Sequence, residues 1–441
     1  MKFQIPKGAF DILPISPAEP WQLSALWQFL EEVVSETAKQ YGYQEIRTPI
    51  YERTELFDRG VGEASDIVSK EMFTFEDKGG RSLSLRPEGT ASVMRAFIEH
   101  NLAQAKPVHK LYYIGPMFRY ERPQSGRYRQ FHQLGVEAIG VAGAAQDAEV
   151  IDLQYQIYAR LGLKNLKVKI NTVGDAASRS LYREALVRYF TPYFSDLSSD
   201  SKIRLEKNPL RILDSKDPQD KILVAEAPSI LAHLSDNAKA HFQQVCELLD
   251  QIQIPYEIDD RIVRGLDYYN KTVFEVLTED LGAQNTLGGG GRYDGLLASL
   301  GGPDLPGVGF ATGLERILLV MLAQKTSFAA KLGPLIYFIP LGDEARNKCF
   351  VLASLCRHHK LAAEVDLHAK KAAVGLQNAA RANAVYCALI GSDELHSGRL
   401  QLKHLETRQT TETNFDHLIA HLQGLSPNFK HLTGSSVSSP L

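Results

Sequence analysis

Residues 110–121, KLYYIGPMFRYE, and residues 130–140, QFHQLGVEAIG, both alternate with the strand period and are joined by RPQSGRYR, which holds a glycine and no strong apolar residue. Two long strands so close in sequence must pair as an antiparallel hairpin, and a sheet has to form around them. Alternation predicts that Arg119 and Glu121 share a face on the first strand and that Gln133, Gly135 and Glu137 share one on the second. Phe118, Tyr120, Leu134, Val136 and Ala138 take the opposite faces. Four arginines (Arg119, Arg122, Arg127, Arg129) crowd this hairpin in a chain whose formal net charge is only −3. A solvated sheet face explains polar residues in general. It does not explain Arg, Glu and Gln set around a central glycine, and a guanidinium fork suits a phosphate. Arg129 takes no role on either reading.

The chain has 441 residues, more than the roughly 250 to 300 that one hydrophobic core accommodates, so two or three domains are expected. Leu26, Phe29, Leu30, Val33 and Val34 recur at helical spacing after Pro20 and predict the first helix. QEIRTPI reads as a short strand, and RSLSLRPEGTASVMRAFIEH as a strand, a turn and a helix from Thr90. Residues 176–254 read as a mostly helical insertion. Strands resume at TVFEVLTED and the core closes with the helix GLERILLVML. Residues 1–325 are therefore expected to form one α+β core, with a linker at 326–333. Strand and helix alternate over 334–425, which predicts a small α/β domain. The polar end, 426–441, is expected to be disordered.

No apolar run approaches the roughly 20 residues that span a bilayer, and the N-terminus lacks the pattern of a signal or transit peptide. A cytoplasmic protein without a membrane role is expected. Cys246, Cys349, Cys356 and Cys387 show neither C-x-x-C nor zinc spacing, so they read as small hydrophobes, with no metal held by the protein. From Lys331 onward twelve Lys/Arg stand against nine Asp/Glu, a slight basic bias that hints at a polyanion partner.

Three further stretches have a bland and a functional reading. In LRPEGTAS, Thr90 reads most simply as an N-cap residue, and Glu88 matters only where a ligand cation must be held. In RIVRGLDYYNKTVFEV a turn followed by core aromatics is the ordinary reading, yet Tyr268 and Tyr269 cannot both face a core from one strand, so at least one hydroxyl addresses a polar site. The run LGGGGRYDGLL matches no phosphate-binding glycine motif, and glycine runs usually mark flexible turns. Arg316, near the start of the last core helix, is the better candidate there.

Together these stretches resemble the class II aminoacyl-tRNA synthetases, and in detail the histidine-specific branch. PKGAFDILP resembles the N-terminal signature of that branch. IRTPIYERTELF resembles the first class motif, whose proline (Pro49) lies at a homodimer interface. The hairpin is similar to motif 2, RGLDYYNKTVFE to the histidine-specific motif and GVGFATGLERI to motif 3. AAEVDLHAKKAAVGLQNAARANA with IGSDEL resembles an anticodon-binding domain. The resemblance implies a mixed, mainly antiparallel sheet with a helical insertion, plus a C-terminal α/β domain. It implies activation of L-histidine with ATP and Mg2+, followed by transfer to the 3′-terminal adenosine of tRNA(His).

The same resemblance assigns residues. Arg119 holds the α-phosphate and also takes part in binding the histidine, Arg316 holds the γ-phosphate, and Arg127 serves the distal phosphates or the RNA. Phe131 stacks on adenine, and Glu121 meets its exocyclic amine. Arg264 bridges the α-phosphate and the histidine carboxylate, where other class II enzymes use a metal. Arg264 and Arg119 are thus the catalytic pair. Glu88, Thr90 and Gln133 bind the α-amino group. Glu137 and Tyr269, with Tyr268 beside them, suit an imidazole, whose two nitrogens each need a partner. Arg122 and Gln124 meet the tRNA acceptor end. A histidine-binding regulatory paralogue without charging activity is the rival reading; such subunits typically lack the anticodon domain and the ATP-handling arginines. A general ATP-dependent amide ligase would leave the C-terminal domain unexplained.

Overall fold

The strands His109–Phe118 and Gln130–Ile139 pair antiparallel along their full length, with His109 opposite Ile139 and Met117 opposite Phe131. This computed structural model describes residues 3–62, 65, 67–263, 266, 268–281, 285–326, 333–368 and 371–425, and the chain divides into two compact units, 1–328 and 329–441. In the first unit the hairpin belongs to an eight-stranded sheet. Its order is Gln44–Glu45, His109–Phe118, Gln130–Ile139, Gly307–Gly313, Thr286–Arg292, Asn270–Leu277, Lys167–Thr172 and Tyr256–Ile258. Only the two edge pairings are parallel, so the sheet is mixed and mainly antiparallel. Of QEIRTPI, only Gln44–Glu45 joins it.

Alternation along Gln130–Ile139 sends Leu134, Val136 and Ala138 into the main core, where they meet Leu30 and Val34 of the first helix and Val150, Ile151 and Ile157 of helix Ala144–Arg160. Fully burying such a side chain contributes about 1.5–3 kcal/mol, which pins the register, because a one-residue slip would turn the apolar set outward. Gln133, Gly135 and Glu137 are thereby committed to the other face. The outgoing strand ends at Phe118, so Arg119 and Glu121 lie just past it, in the connecting segment, instead of on the strand. The backbone N–H of Arg119 still donates to the Arg129 carbonyl at 2.9 Å.

The glycine run is not a flexible turn. Thr286–Arg292 is a central strand paired on both sides, and a Cβ at Gly290 would stand 1.9 Å from the Gly309 carbonyl oxygen. Neighbouring strands approach here too closely for side chains.

The helical segment divides in two. Tyr182, Leu186, Phe190, Leu205, Ile212 and Val224 form a core of their own. Helix Asp236–Gln251 instead sends Phe242, Val245 and Leu249 into the main core, so the separate helical body stops short of residue 236. A three-stranded antiparallel sheet (Tyr51–Arg53, Ser82–Leu85, Thr74–Glu76) stands apart, with Ile50, Tyr51 and Phe75 exposed.

In the second unit five strands, in the order Ala363–Val365, Ile336–Pro340, Tyr386–Ile390, Arg399–His404 and Thr410–Asn414, run parallel on one side and antiparallel on the other. Helices Asp343–His358 and Ala372–Arg381 pack on them. Cys349, Cys356 and Cys387 are buried free thiols; Cys246, in the first unit, is half-buried. The tail 426–441 lies outside the described residues. Among the described residues no helix is long and apolar enough to cross a membrane.

Candidate active site

A cavity of about 320 Å³ opens on the hairpin face that the core leaves free, a size suited to a small-molecule site. Glu88, Thr90, Arg119, Glu121, Arg127, Phe131, Gln133, Glu137, Tyr268, Tyr269 and Arg316 all line it. Arg264, which carries a large share of the expected chemistry, lies outside the described residues. Tyr268 and Tyr269 precede strand Asn270–Leu277, so strand alternation does not separate them. Both face the cavity, their ring centroids 4.6 Å apart.

One end of the cavity is acidic, and its lining residues Glu88, Thr90 and Glu137 are buried. Thr90 is the first residue of helix Thr90–Glu99, and the N-cap position belongs to Gly89. The capping is done by Glu88, whose two carboxylate oxygens accept the backbone N–H groups of Thr90 at 2.7 Å and Ala91 at 2.8 Å. The Thr90 hydroxyl is therefore released from capping and donates to Oε1 of Glu137 at 2.7 Å. The Tyr293 hydroxyl donates to the other oxygen of Glu137. Burial pushes the Glu137 carboxyl up to about 8, against the pull of those two donors and with help from the nearby Glu88. Glu88 is raised as well, by burial that outweighs its backbone hydrogen bonds. Two buried carboxyls side by side, each with lone pairs to spare, form a site for a cationic or donor-bearing ligand. Gln133 adds a buried Oε1 with no hydrogen-bond partner among the described residues, an acceptor that a ligand donor would satisfy. Gly309 keeps this end open, since a Cβ there would meet the Val136 carbonyl oxygen at 2.1 Å and Oε2 of Glu137 at 2.5 Å.

The other end is cationic. Nε of Arg119 donates to the Pro87 carbonyl at 2.9 Å, and its guanidinium carbon lies 5.3 Å from the Phe131 ring centroid. Arg316 donates from Nη1 to the Thr286 carbonyl at 2.6 Å and from Nε to the Gly126 carbonyl at 3.2 Å. Its pKa is lowered, first by burial and then by the neighbouring positive charge of Arg127. Arg127 pairs with Glu121 at 3.0 Å. Three fixed guanidinium groups beside the half-buried Phe131 ring can take a polyphosphate carrying a flat ring.

Arg122 and Gln124 are not brought into the cavity; both are exposed on the connecting loop. Pro49 borders a separate cavity of about 520 Å³ with Glu52 and Arg95. Sequence reasoning missed Tyr293, which follows the glycine strand, and Glu315, whose Oε1 accepts the backbone N–H of His132 at 2.7 Å. Tyr293 lies within the stretch LGGGGRYDGLL. An aromatic residue straight after a strand built around four glycines was the available signal.

A mainly antiparallel sheet, a long hairpin delivering arginines to a cavity with a buried acidic end, and a separate α/β unit define a class II aminoacyl-tRNA synthetase. The model of the histidyl-tRNA synthetase family matches residues 16–317, and an anticodon-binding domain model matches residues 336–425. The chain belongs to the histidyl-tRNA synthetase family. It is 53% identical over 423 residues to the histidine–tRNA ligase of Protochlamydia amoebophila, covering 96% of this chain and all of that one. It is 48% identical to that of Bacillus subtilis, covering 95% and 98%. The crystal structure of apo histidyl-tRNA synthetase from S. aureus superposes with a TM-score of 0.81 at 38% identity, over 96% of this chain and all of that one. A structure from Bacillus halodurans, described as an ATP phosphoribosyltransferase regulatory subunit/histidyl-tRNA synthetase, shares the fold at 24% identity and a TM-score of 0.63, over 89% of this chain and 98% of that one.

Proposed function

We propose that the chain joins L-histidine to ATP as histidyl-adenylate and then passes the histidyl group to the 3′-terminal adenosine of tRNA(His). The observation that carries this reading is one cavity with an acidic, donor-seeking end and a three-arginine end. The histidine carboxylate attacks the α-phosphorus in line. A bond to that carboxylate oxygen forms, the bond to the bridging oxygen breaks and pyrophosphate leaves with the electron pair. Arg119 bears the charge developing on the α-phosphate, and Arg264 bridges it to the substrate carboxylate. Arg316 and Arg127 hold the distal phosphates, with which Mg2+ travels. Phe131 stacks on adenine, and Glu121 accepts from its exocyclic amine, so the Glu121–Arg127 pair parts as each member takes its own ligand group.

At the acidic end Glu88, Thr90 and Gln133 bind the α-amino group. Glu137 and Tyr269 each address one imidazole nitrogen, with Tyr268 walling the pocket. Apolar isosteres of histidine would leave these buried groups unpaired, a strong ground for rejection. Arg122 and Gln124, exposed on the loop, meet the acceptor end of the RNA. The enzyme works in the cytoplasm as a homodimer whose interface includes Pro49. The arginine trio and the match at 336–425 favour this reading over that of a regulatory paralogue.

The test is charging of total tRNA by the full chain and by a chain ending at residue 329. The full chain should charge with histidine alone. The shorter one should keep histidine-dependent adenylate formation and lose charging efficiency by more than about tenfold, each factor of ten being ~1.4 kcal/mol of RNA-binding energy. Equal charging by both would remove the RNA role from the C-terminal unit.

A further inference from the structure

Arg129 is the hairpin arginine that the proposed reaction leaves without a role, yet it is held at several points. Its guanidinium carbon lies 3.9 Å from the centroid of the Tyr120 ring, and its Nε donates to the Glu121 carbonyl at 3.3 Å. Its own backbone N–H donates to the Gly8 carbonyl at 2.8 Å, and that carbonyl also accepts from Gln130 at 3.3 Å. Gly8 has φ +85°, and a Cβ there would come within 2.8 Å of Cγ of Arg129. The position needs glycine for its backbone and for the close approach. Two residues on, the Phe10 ring packs edge-on against Tyr128 at 5.0 Å and Trp21 at 4.7 Å. The N-terminal segment thus grips the returning limb of the hairpin, and Arg129 carries the grip across to the outgoing limb at Tyr120 and Glu121.

We propose that Arg129, seated on Gly8, is a positioning residue. It braces the outgoing limb so that Glu121 and Arg127 stand ready for the nucleotide, and the N-terminal segment is a working part of the ATP half of the site. A loop fixed before its ligand arrives loses less entropy on binding. The acidic end is built from the helix that starts at Thr90 and from strand Gln130–Ile139, so loosening the brace should reach ATP and spare histidine. This inference rests on the proposed synthetase reading.

The experiment measures pyrophosphate exchange for the full chain and for the variants Arg129→Ala, Gly8→Ala and Tyr120→Phe. Arg129→Ala should raise the KM for ATP about tenfold while the KM for histidine stays within about a factor of two. Gly8→Ala should give the same split although Arg129 is still present. Tyr120→Phe keeps the aromatic face and should behave as the parent. An unchanged KM for ATP in Arg129→Ala, a silent Gly8→Ala, or parallel changes in both KM values would overturn the proposal. So would normal exchange with slowed transfer to tRNA, which would make Arg129 an RNA contact. A parent chain that fails to exchange with histidine would instead sink the synthetase reading, so the two failures are distinguishable.

Discussion

Replacing Arg119 with alanine is expected to slow formation of histidyl-adenylate by about two to three orders of magnitude, the loss typical when one preorganised donor to a developing oxyanion is removed. Two features make Arg119 preorganised. Its Nε is committed to the Pro87 carbonyl at 2.9 Å, and its guanidinium lies beside the Phe131 ring. The terminal nitrogens remain for a phosphate, and little reorganisation is needed when charge builds. Because the interaction strengthens chiefly in the transition state, the rate constant should fall much more than histidine affinity. Rapid-quench measurement of a single adenylation turnover, with histidine binding measured separately, checks this. A rate within tenfold of the parent, or a loss confined to histidine affinity, would contradict the role.

Glu137→Gln should raise the KM for histidine about 10- to 100-fold, the range expected for losing a buried hydrogen bond to a charged group, and leave the KM for ATP nearly unchanged. The amide would also set N–H donors against Thr90 or Tyr293, both of which now donate to the carboxylate. The ligand-free protein should respond with the opposite sign. In the folded chain the Glu137 carboxyl titrates near 8, against 4.5 for an ordinary glutamate. Its contribution to stability is therefore complete below about pH 4.5 and is lost as the pH rises through about 8. Glutamine does not titrate, so the variant should melt higher than the parent at pH 9, and by a larger margin than at pH 5. Histidine kinetics together with melting curves at the two pH values measure both halves. A margin that shrinks as the pH rises would show that Glu137 is not held protonated by burial.

The parts of the site legible in sequence are those set by local geometry. Strand alternation placed Gln133 and Glu137 on one face and sent Leu134, Val136 and Ala138 to the core, because a period of two is fixed by the backbone. The helix starting at Thr90 was readable from its turn, but the division of labour there was not. Glu88 caps the helix and Thr90 reaches across 47 positions to Glu137, which only tertiary packing decides. The same limit hid Tyr293 and Glu315, whose partners lie 156 and 183 positions away. The glycine run misled because four successive glycines, Gly288 to Gly291, carry no side-chain alternation. Its pairing becomes intelligible once the Gly309 carbonyl is seen 1.9 Å from where a Cβ of Gly290 would be. The helical segment was read whole because hydrophobic periodicity says that a helix buries a face and not against what; Phe242, Val245 and Leu249 belong to the main core.

One cavity should activate histidine and no other amino acid. Pyrophosphate exchange into ATP, run with each of the amino acids in turn on the purified full-length chain, tests it most directly. The expected result is exchange with histidine alone, slowed by about two to three orders of magnitude in Arg119→Ala and shifted to high histidine concentration in Glu137→Gln. Exchange with several amino acids alike, or none with histidine, would contradict it.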